Sequence, residues 1–413
     1  MHGSAQDIAG PGTGEVESTY AWLRLVTSLA LGTLGSVGMW AVVVTLPAVQ
    51  AEFAVARADA SLPYTLTMVG FGIGTVGLGR LVDRFGIVLP LIGAILVLGF
   101  AFIVSGLAPS LMTFALVNFF IGAGSAAGFA PLIADISHWF TRRLGIAVGI
   151  CASGNYLGGA IWPPVVHRLV EAGGWRQTQF IVGAICLAAM LPLVTVLRRR
   201  LVAHQAQVAA TAAGDANAAL GLSPNALFAL LCLAGLACCV AMAMPQVHIV
   251  AYCGDLGYGV ARGAEMLSLM LGFGIISRVG SGFVADRIGG MATLLIGSVL
   301  QGVALLFYLM FDGLTSLYVI SALFGLFQGG IVPMYAVIVR AYFPPRMAGT
   351  LVGIVIMSTI AGMALGGWLS GAIFDATGSY WQAFAHGLAW NLLNGAIAAF
   401  LLMRARRFRS VPA

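Results

Sequence analysis

The chain has 413 residues, of which 60% are hydrophobic and only 8% charged, against about 25% charged in an ordinary soluble domain. A soluble fold of this size cannot hide so much apolar surface. Lipid is therefore the solvent for most of the chain, and the net charge of +6 belongs to helix ends rather than to a nucleic-acid interface.

Taken in chain order, residues 1–21 are polar, with Gly10, Gly12 and Gly14 around Pro11. No basic segment precedes an apolar core there, which predicts a disordered tail and not a signal peptide. A spanning helix needs about 20 apolar residues. On that measure the first bundle, over 22–197, has spans near Leu23–Pro47, Ala60–Val82, Val88–Ala108, Leu111–Ala134, Leu144–Val166 and Gln179–Val196. The second, over 226–403, has spans near Ala226–Ala251, Glu265–Ala285, Met291–Phe311, Thr315–Val339, Ala348–Phe374 and Trp381–Met403. Residues 198–225 form the linker between them, and 404–413 a basic tail. The expected fold is all-α and integral to the membrane, with twelve helices in two pseudo-symmetric six-helix bundles.

All the basic residues are arginine. With both ends of the chain cytoplasmic, 15 arginines fall on that side, from Arg24 to Arg409, and only Arg57, Arg168, Arg176 and Arg262 fall outside. That bias sets the orientation. The one left over, Arg278, lies within a helix. The six cysteines lack metal-ligand spacing and read as small packing residues.

The halves repeat. Gly79-x-x-x-Asp83-Arg84-x-Gly86 follows the second span and Gly282-x-x-x-Asp286-Arg287-x-Gly289 follows the eighth, an offset of 282 − 79 = 203. Gly122 and Gly325, Phe140 and Phe343, and Arg143 and Arg346 keep that offset. In each loop the first glycine lets helices approach, and the last permits a tight turn. The carboxylate can accept from the amides of a neighbouring helix N-terminus or pair with an arginine. A contact of that kind, made in one arrangement of the halves and broken in the other, is a gate. This assigns gating to Asp83, Arg84, Asp286 and Arg287. The plainer reading is a hydrophilic turn carrying topogenic charge.

The duplicated motif resembles the signature loop of the major facilitator superfamily, and the resemblance runs from about Trp22 to Met403. Trp139-Phe140-Thr141-Arg142-Arg143-Leu144-Gly145-Ile146-Ala147-Val148-Gly149, continuing to Ser153-Gly154, resembles the segment entering helix five of monocarboxylate transporters and oxalate:formate antiporter-like proteins. His248-Ile249-Val250-Ala251-Tyr252, Asp255-Leu256-Gly257 and Arg278 add to that likeness. The resemblance implies a secondary transporter of small organic anions, monocarboxylates foremost, either coupled to a proton or exchanging as in the oxalate:formate type, in a bacterial inner membrane; a carrier of the same fold for another small solute is the alternative. It departs in two places. Thr19-Tyr20-Ala21-Trp22-Leu23-Arg24 stands where the animal carriers open helix one with an Asp-Gly-Gly-aromatic-Gly motif. Gly274 stands where they carry an Asp, and the chain has no lysine, so their usual proton-coupling residues do not carry over.

Arg278 lies about 12 Å of helix rise from Asp286, too deep to snorkel easily, and belongs in a cavity. A planar guanidinium suits a carboxylate; the alternative is an arginine satisfied by backbone carbonyls or by Asp135. Its counterpart in the repeat is Thr75. His248 could hold the anion or move a proton, or be an ordinary hydrogen-bonded histidine. Asn118 and Tyr335 are cavity candidates that could equally bridge helices. Asn155, Tyr156, Gln328, Asn391 and Asn394 are weaker candidates on the same argument. No nucleotide-binding loop or nucleophile–base arrangement is present, so no cofactor, ATP-driven step or enzymatic activity is expected, and the chain is expected to function as a monomer. A non-transporting membrane sensor would need a folded soluble domain, for which the hydrophilic linker is too short.

Overall fold

The structure, a computed structural model, describes residues 16–54, 62–199 and 220–409. Among the described residues the chain forms helices and no strand. Eleven stretches are long and apolar enough to cross a bilayer. The one at Leu144–Arg198 is two legs, because Gly174 (φ 77°, ψ 167°) breaks the helix in a conformation closed to residues with a Cβ. Twelve spans result, as expected. They are α1 (Thr19–Phe53), α2 (Leu62–Phe85), α3 (Val88–Gly106), α4 (Leu111–Ile136), α5 (144–173), α6 (175–198), α7 (Pro224–Asp255), α8 (Ala261–Ile288), α9 (Gly290–Met310), α10 (Leu314–Tyr342), α11 (Pro345–Thr377) and α12 (Tyr380–Arg406).

The two bundles start and kink alike. Ser18 caps α1 and Ser223 caps α7, each accepting from the amide three residues on at 3.2 Å. A 3-10 turn at Ala126–Gly128 interrupts α4, and α10 is interrupted at Gly329 and Gly330, 203 residues later. Gly122 lies against the Thr67 carbonyl and Gly325 against that of Met270, so close that a Cβ on either would overlap the backbone. The offset seen in the loops is thus also a packing register, joining α2 to α4 and α8 to α10.

Two boundaries differ from expectation. The stretch 1–21 is not all tail, because α1 begins at Thr19; residues 1–15 lie outside the described residues. The C-terminal helix runs on to Arg409, into the stretch expected as a tail. The middle of the linker, 200–219, and Arg57 lie outside the described residues.

One end of the bundle gathers the arginines. There Arg24, at the start of the first span, is buried. Its Nε and Nη2 donate to Asp135 at 2.7 Å each, and Nη1 donates to the carbonyls of Leu197 (3.0 Å) and Arg199 (3.2 Å). The pair ties α1, α4 and the end of α6 together. At the opposite end, Arg176 donates to Glu52 (2.7 and 3.0 Å) and to the Gly106 carbonyl (2.9 Å), which ties α6, α1 and α3. Tyr380 donates to Asp255 (2.5 Å) and joins α12 to α7.

The halves meet along two helix pairs, α2 with α11 and α5 with α8. Glycines line both seams. A Cβ on Gly349 would lie 2.6 Å from the Gly79 carbonyl oxygen, and one on Gly353 would lie 2.5 Å from that of Thr75. On the other seam, Gly282 faces Gly145, and Gly149 faces the Arg278 carbonyl. Contact continues as far as Tyr156 against Gly274 and Met357 against Gly72. From Gly145 to Tyr156 is about 16 Å of helix rise, roughly half of a 30 Å hydrocarbon core. All of these contacts between the halves lie within that depth. They close the halves on each other at the arginine-rich end.

Candidate functional site

The closure is made by two carboxylates, each accepting from the first amides of a helix in the other half. Asp83 on α2 accepts from Gly349 N (2.8 Å), Thr350 N (2.7 Å) and Thr350 Oγ1 (2.6 Å) of α11. Asp286 on α8 accepts from Gly145 N (2.5 Å) and Ile146 N (3.2 Å) of α5. A helix N-terminus offers unpaired amides and a partial positive charge. Of the two arrangements open to these carboxylates, amide capping is the one present. Arg84 and Arg287 are exposed, and Arg84 lies over the Phe85 ring (5.2 Å).

The repeat is offset by 203 at the acids and by 204 at the glycines receiving them, Gly145 with Gly349 and Gly149 with Gly353. Arg346 keeps 203 from Arg143, so one extra residue falls between there and Gly349. Flanking the two caps, Arg340 Nε donates to the Ser137 carbonyl (3.2 Å), and His138 bonds the Pro345 carbonyl through Nε2 (3.1 Å).

Arg278 sits on the α5–α8 seam above the Asp286 cap and is 4% exposed. Its Nε donates to the Gly329 carbonyl (3.2 Å) at the α10 interruption, and its Nη1 to the Ala152 carbonyl of the other half. The guanidinium carbon lies 3.6 Å from the centre of the Tyr156 ring, a cation–π contact in a desolvated place. Gly274, one turn before Arg278, makes room for that ring: a Cβ there would lie 2.6 Å from Tyr156 Cε2. The carbonyl alternative is therefore what this conformation shows, while Asp135 is committed to Arg24. Thr75, the counterpart of Arg278, bonds the Gly353 carbonyl (3.3 Å) across the other seam.

The other three sequence candidates do not join Arg278. Asn118 donates to the Phe114 carbonyl (2.8 Å) and accepts from Thr67 (3.3 Å), which ties α4 to α2. Tyr335 donates to Asn394 (3.1 Å), which in turn donates to Ser298 (2.8 Å), inside the second half. Both are 1% exposed, and both make the helix-bridging contacts of their alternative reading. His248 bonds the Gly367 carbonyl through Nε2 (2.9 Å) and links α7 to α11. Two residues gain weight. Tyr156 gains it from its contact with Arg278, which is long-range and has no local sequence signal. Gln328, beside Gly329, is fully buried, and neither polar atom of its side chain has a partner among the described residues.

The model of the Major Facilitator Superfamily matches residues 29–316 and 281–413. The MFS-type transporter pynF of Aspergillus niger is 25% identical over 284 residues, 68% of this chain and 64% of that protein. Monocarboxylate transporter 13 of Rattus norvegicus is 28% identical over 271 residues, 64% of this chain and 61% of that protein. The matched stretch thus spans a little over three-fifths of these relatives. Among solved structures, a bacterial homologue of the iron transporter ferroportin, in an outward-facing state with soaked iron, superposes with a TM-score of 0.72 at 15% identity. It covers 94% of this chain and 99% of its own.

Proposed function

From the premise that this chain belongs to the major facilitator superfamily, we propose that it is a secondary active transporter of small organic anions, with monocarboxylates as the substrate class. The observation that carries this reading is Arg278. Two arginines are buried among the described residues. Arg24 is neutralised by Asp135. Arg278 has two carbonyl dipoles and a ring face for partners, so its positive charge stands uncompensated where the halves meet. An anion is the ligand that offsets it, and a carboxylate matches its fork.

Transport proceeds by alternating access. The arginine bias puts the closed end in the cytoplasm of a bacterial inner membrane, which makes this conformation outward-facing. Rocking the halves apart breaks the Asp83 and Asp286 caps and the Arg278 bond to Ala152 together, since all three cross the seams. A carboxylate competing for Nη1 loosens the same interface, linking substrate binding to the change of access. Proton coupling runs through His248 or the substrate itself. Exchange of anions is the second reading, supported by Asp135 being locked to Arg24 and thereby withdrawn as a proton carrier.

The test is uptake by purified protein in liposomes, with a panel of labelled monocarboxylates, dicarboxylates and neutral sugars, with and without a pH gradient. Saturable monocarboxylate uptake that Arg278→Ala abolishes is expected. Uptake of a neutral solute alone, unaffected by that substitution, would overturn the proposal.

A further inference from the structure

The α4–α5 turn that presents amides to Asp286 is itself held by a second carboxylate. Glu17 lies just before α1, and one oxygen of its side chain accepts from the amides of Thr141 (3.2 Å), Arg142 (2.7 Å) and Arg143 (2.9 Å). Its own amide donates to the Trp139 carbonyl (3.0 Å). The Glu17 backbone has φ +56°, the left-handed region that non-glycine residues avoid, so the bonds around it hold an unfavourable conformation. Arg143 lies over the Trp22 ring (5.8 Å), which fixes the same turn to α1 from the side. Burial pushes the Glu17 carboxyl up, but the amides of Arg143, Thr141 and Arg142 and the Arg143 charge outweigh it and leave it below its ordinary value. Its bonds are therefore fully present above that ordinary value, and neutral pH keeps them intact.

The second half does the same job differently. The segment before its cap Ser223 reads Leu220-Gly221-Leu222 and has no acid. The loop before its Asp83-binding amides reads Phe343-Pro344-Pro345-Arg346, and two prolines remove two amides that would need an acceptor while fixing their own φ. A covalently stiff turn therefore serves Asp83, and a hydrogen-bonded turn serves Asp286.

We infer that Glu17 is a positioning residue of the gate: by holding the 141–143 turn it sets the Gly145 and Ile146 amides for Asp286, and so tunes one of the two closures and not the other. The inference does not depend on what is carried. It makes the Asp286 cap the adjustable one, because three hydrogen bonds can be released where a proline pair cannot.

The test uses full-length protein in liposomes, with spin labels at Leu89→Cys and Met403→Cys. These positions are exposed on opposite halves at the arginine-rich end, while the native cysteines are buried or half-buried. The label–label distance reports the open-to-closed ratio of that end. Glu17→Ala is expected to raise that ratio about three- to tenfold, with Glu17→Gln intermediate. The effect should vanish in an Asp286→Asn background and persist in Asp83→Asn, because neighbours sharing one network are not additive. A Glu17 that merely aids folding would lower the melting temperature without moving the distances. Unchanged distances, or equal effects in both backgrounds, would overturn the assignment.

Discussion

Glycine at position 282 should be indispensable to the closed state and irrelevant to folding. A Cβ there would lie 2.5 Å from the Gly145 carbonyl oxygen and 2.7 Å from its carbon, whereas ordinary contact begins at 3.4 Å. The shortfall is 3.4 − 2.5 = 0.9 Å, and both atoms the Cβ meets belong to the Gly145 main chain in the other half. No rotamer relieves it, so α5 and α8 must separate, and Asp286, one turn on, loses its amides. Overpacking of this kind costs about 1–3 kcal/mol, here charged to the closed conformation alone. Gly282→Ala should therefore shift the open-to-closed ratio of the arginine-rich end by roughly 5- to 150-fold. Gly280→Ala is the control, since a Cβ there meets nothing within 4 Å and gains the same helix propensity, about 0.5–1 kcal/mol. The spin-label pair at positions 89 and 403 reads both variants. A Gly282→Ala distance distribution identical to that of Gly280→Ala would refute the argument that backbone contact along the seam determines closure.

Three further outcomes follow from named contacts. Arg278→Ala should weaken ligand-induced thermal stabilisation by the transported acid about ten- to a hundredfold in affinity, the worth of a charged hydrogen bond at roughly 1.5–3 kcal/mol. Arg278→Lys should restore charge but only part of that affinity, and undiminished stabilisation of the alanine variant would remove Arg278 from the site. Arg24→Ala strands Asp135 in the buried end of the first bundle and should cost about 3–5 kcal/mol, read as a clear fall in melting temperature; replacing both partners with apolar residues should cost less, and an unaltered melt would deny the pair its role. His248→Gln should slow pH-driven uptake more than exchange, while equal slowing in both assays assigns it to the α7–α11 contact with Gly367.

Much of the architecture is legible in the chain because lipid constrains it so strongly. Twenty-residue apolar runs, arginine bias and a repeat at offset 203 are linear properties, and they give span count, the two halves and both loop acids, Asp83 and Asp286, without reference to contacts. The Asp83 and Asp286 caps show that a motif can indicate its own geometry: an acid, a helix start and flanking glycines leave few arrangements. The stiff Pro344–Pro345 turn also stands in plain sequence, though its importance emerges only against the Glu17 turn opposite.

Side-chain partnerships were decided by the tertiary structure. Arg24 reads only as one more topogenic charge at a helix end until the fold brings Asp135, 111 residues away, within 2.7 Å. Asn118 and Tyr335 are polar residues in apolar runs in either reading, and only the neighbouring helix shows that their hydrogen bonds close within one half. Glu17 lies in a stretch that looks like tail, and it becomes ordered because three amides of a distant turn point at it. The physical reason is common to all of them. Partition into lipid is a property of a segment, summed over some twenty residues and insensitive to their rotation. A buried hydrogen bond depends on where two atoms lie to within a few tenths of an ångström, and that is fixed only when helices far apart in the chain have packed.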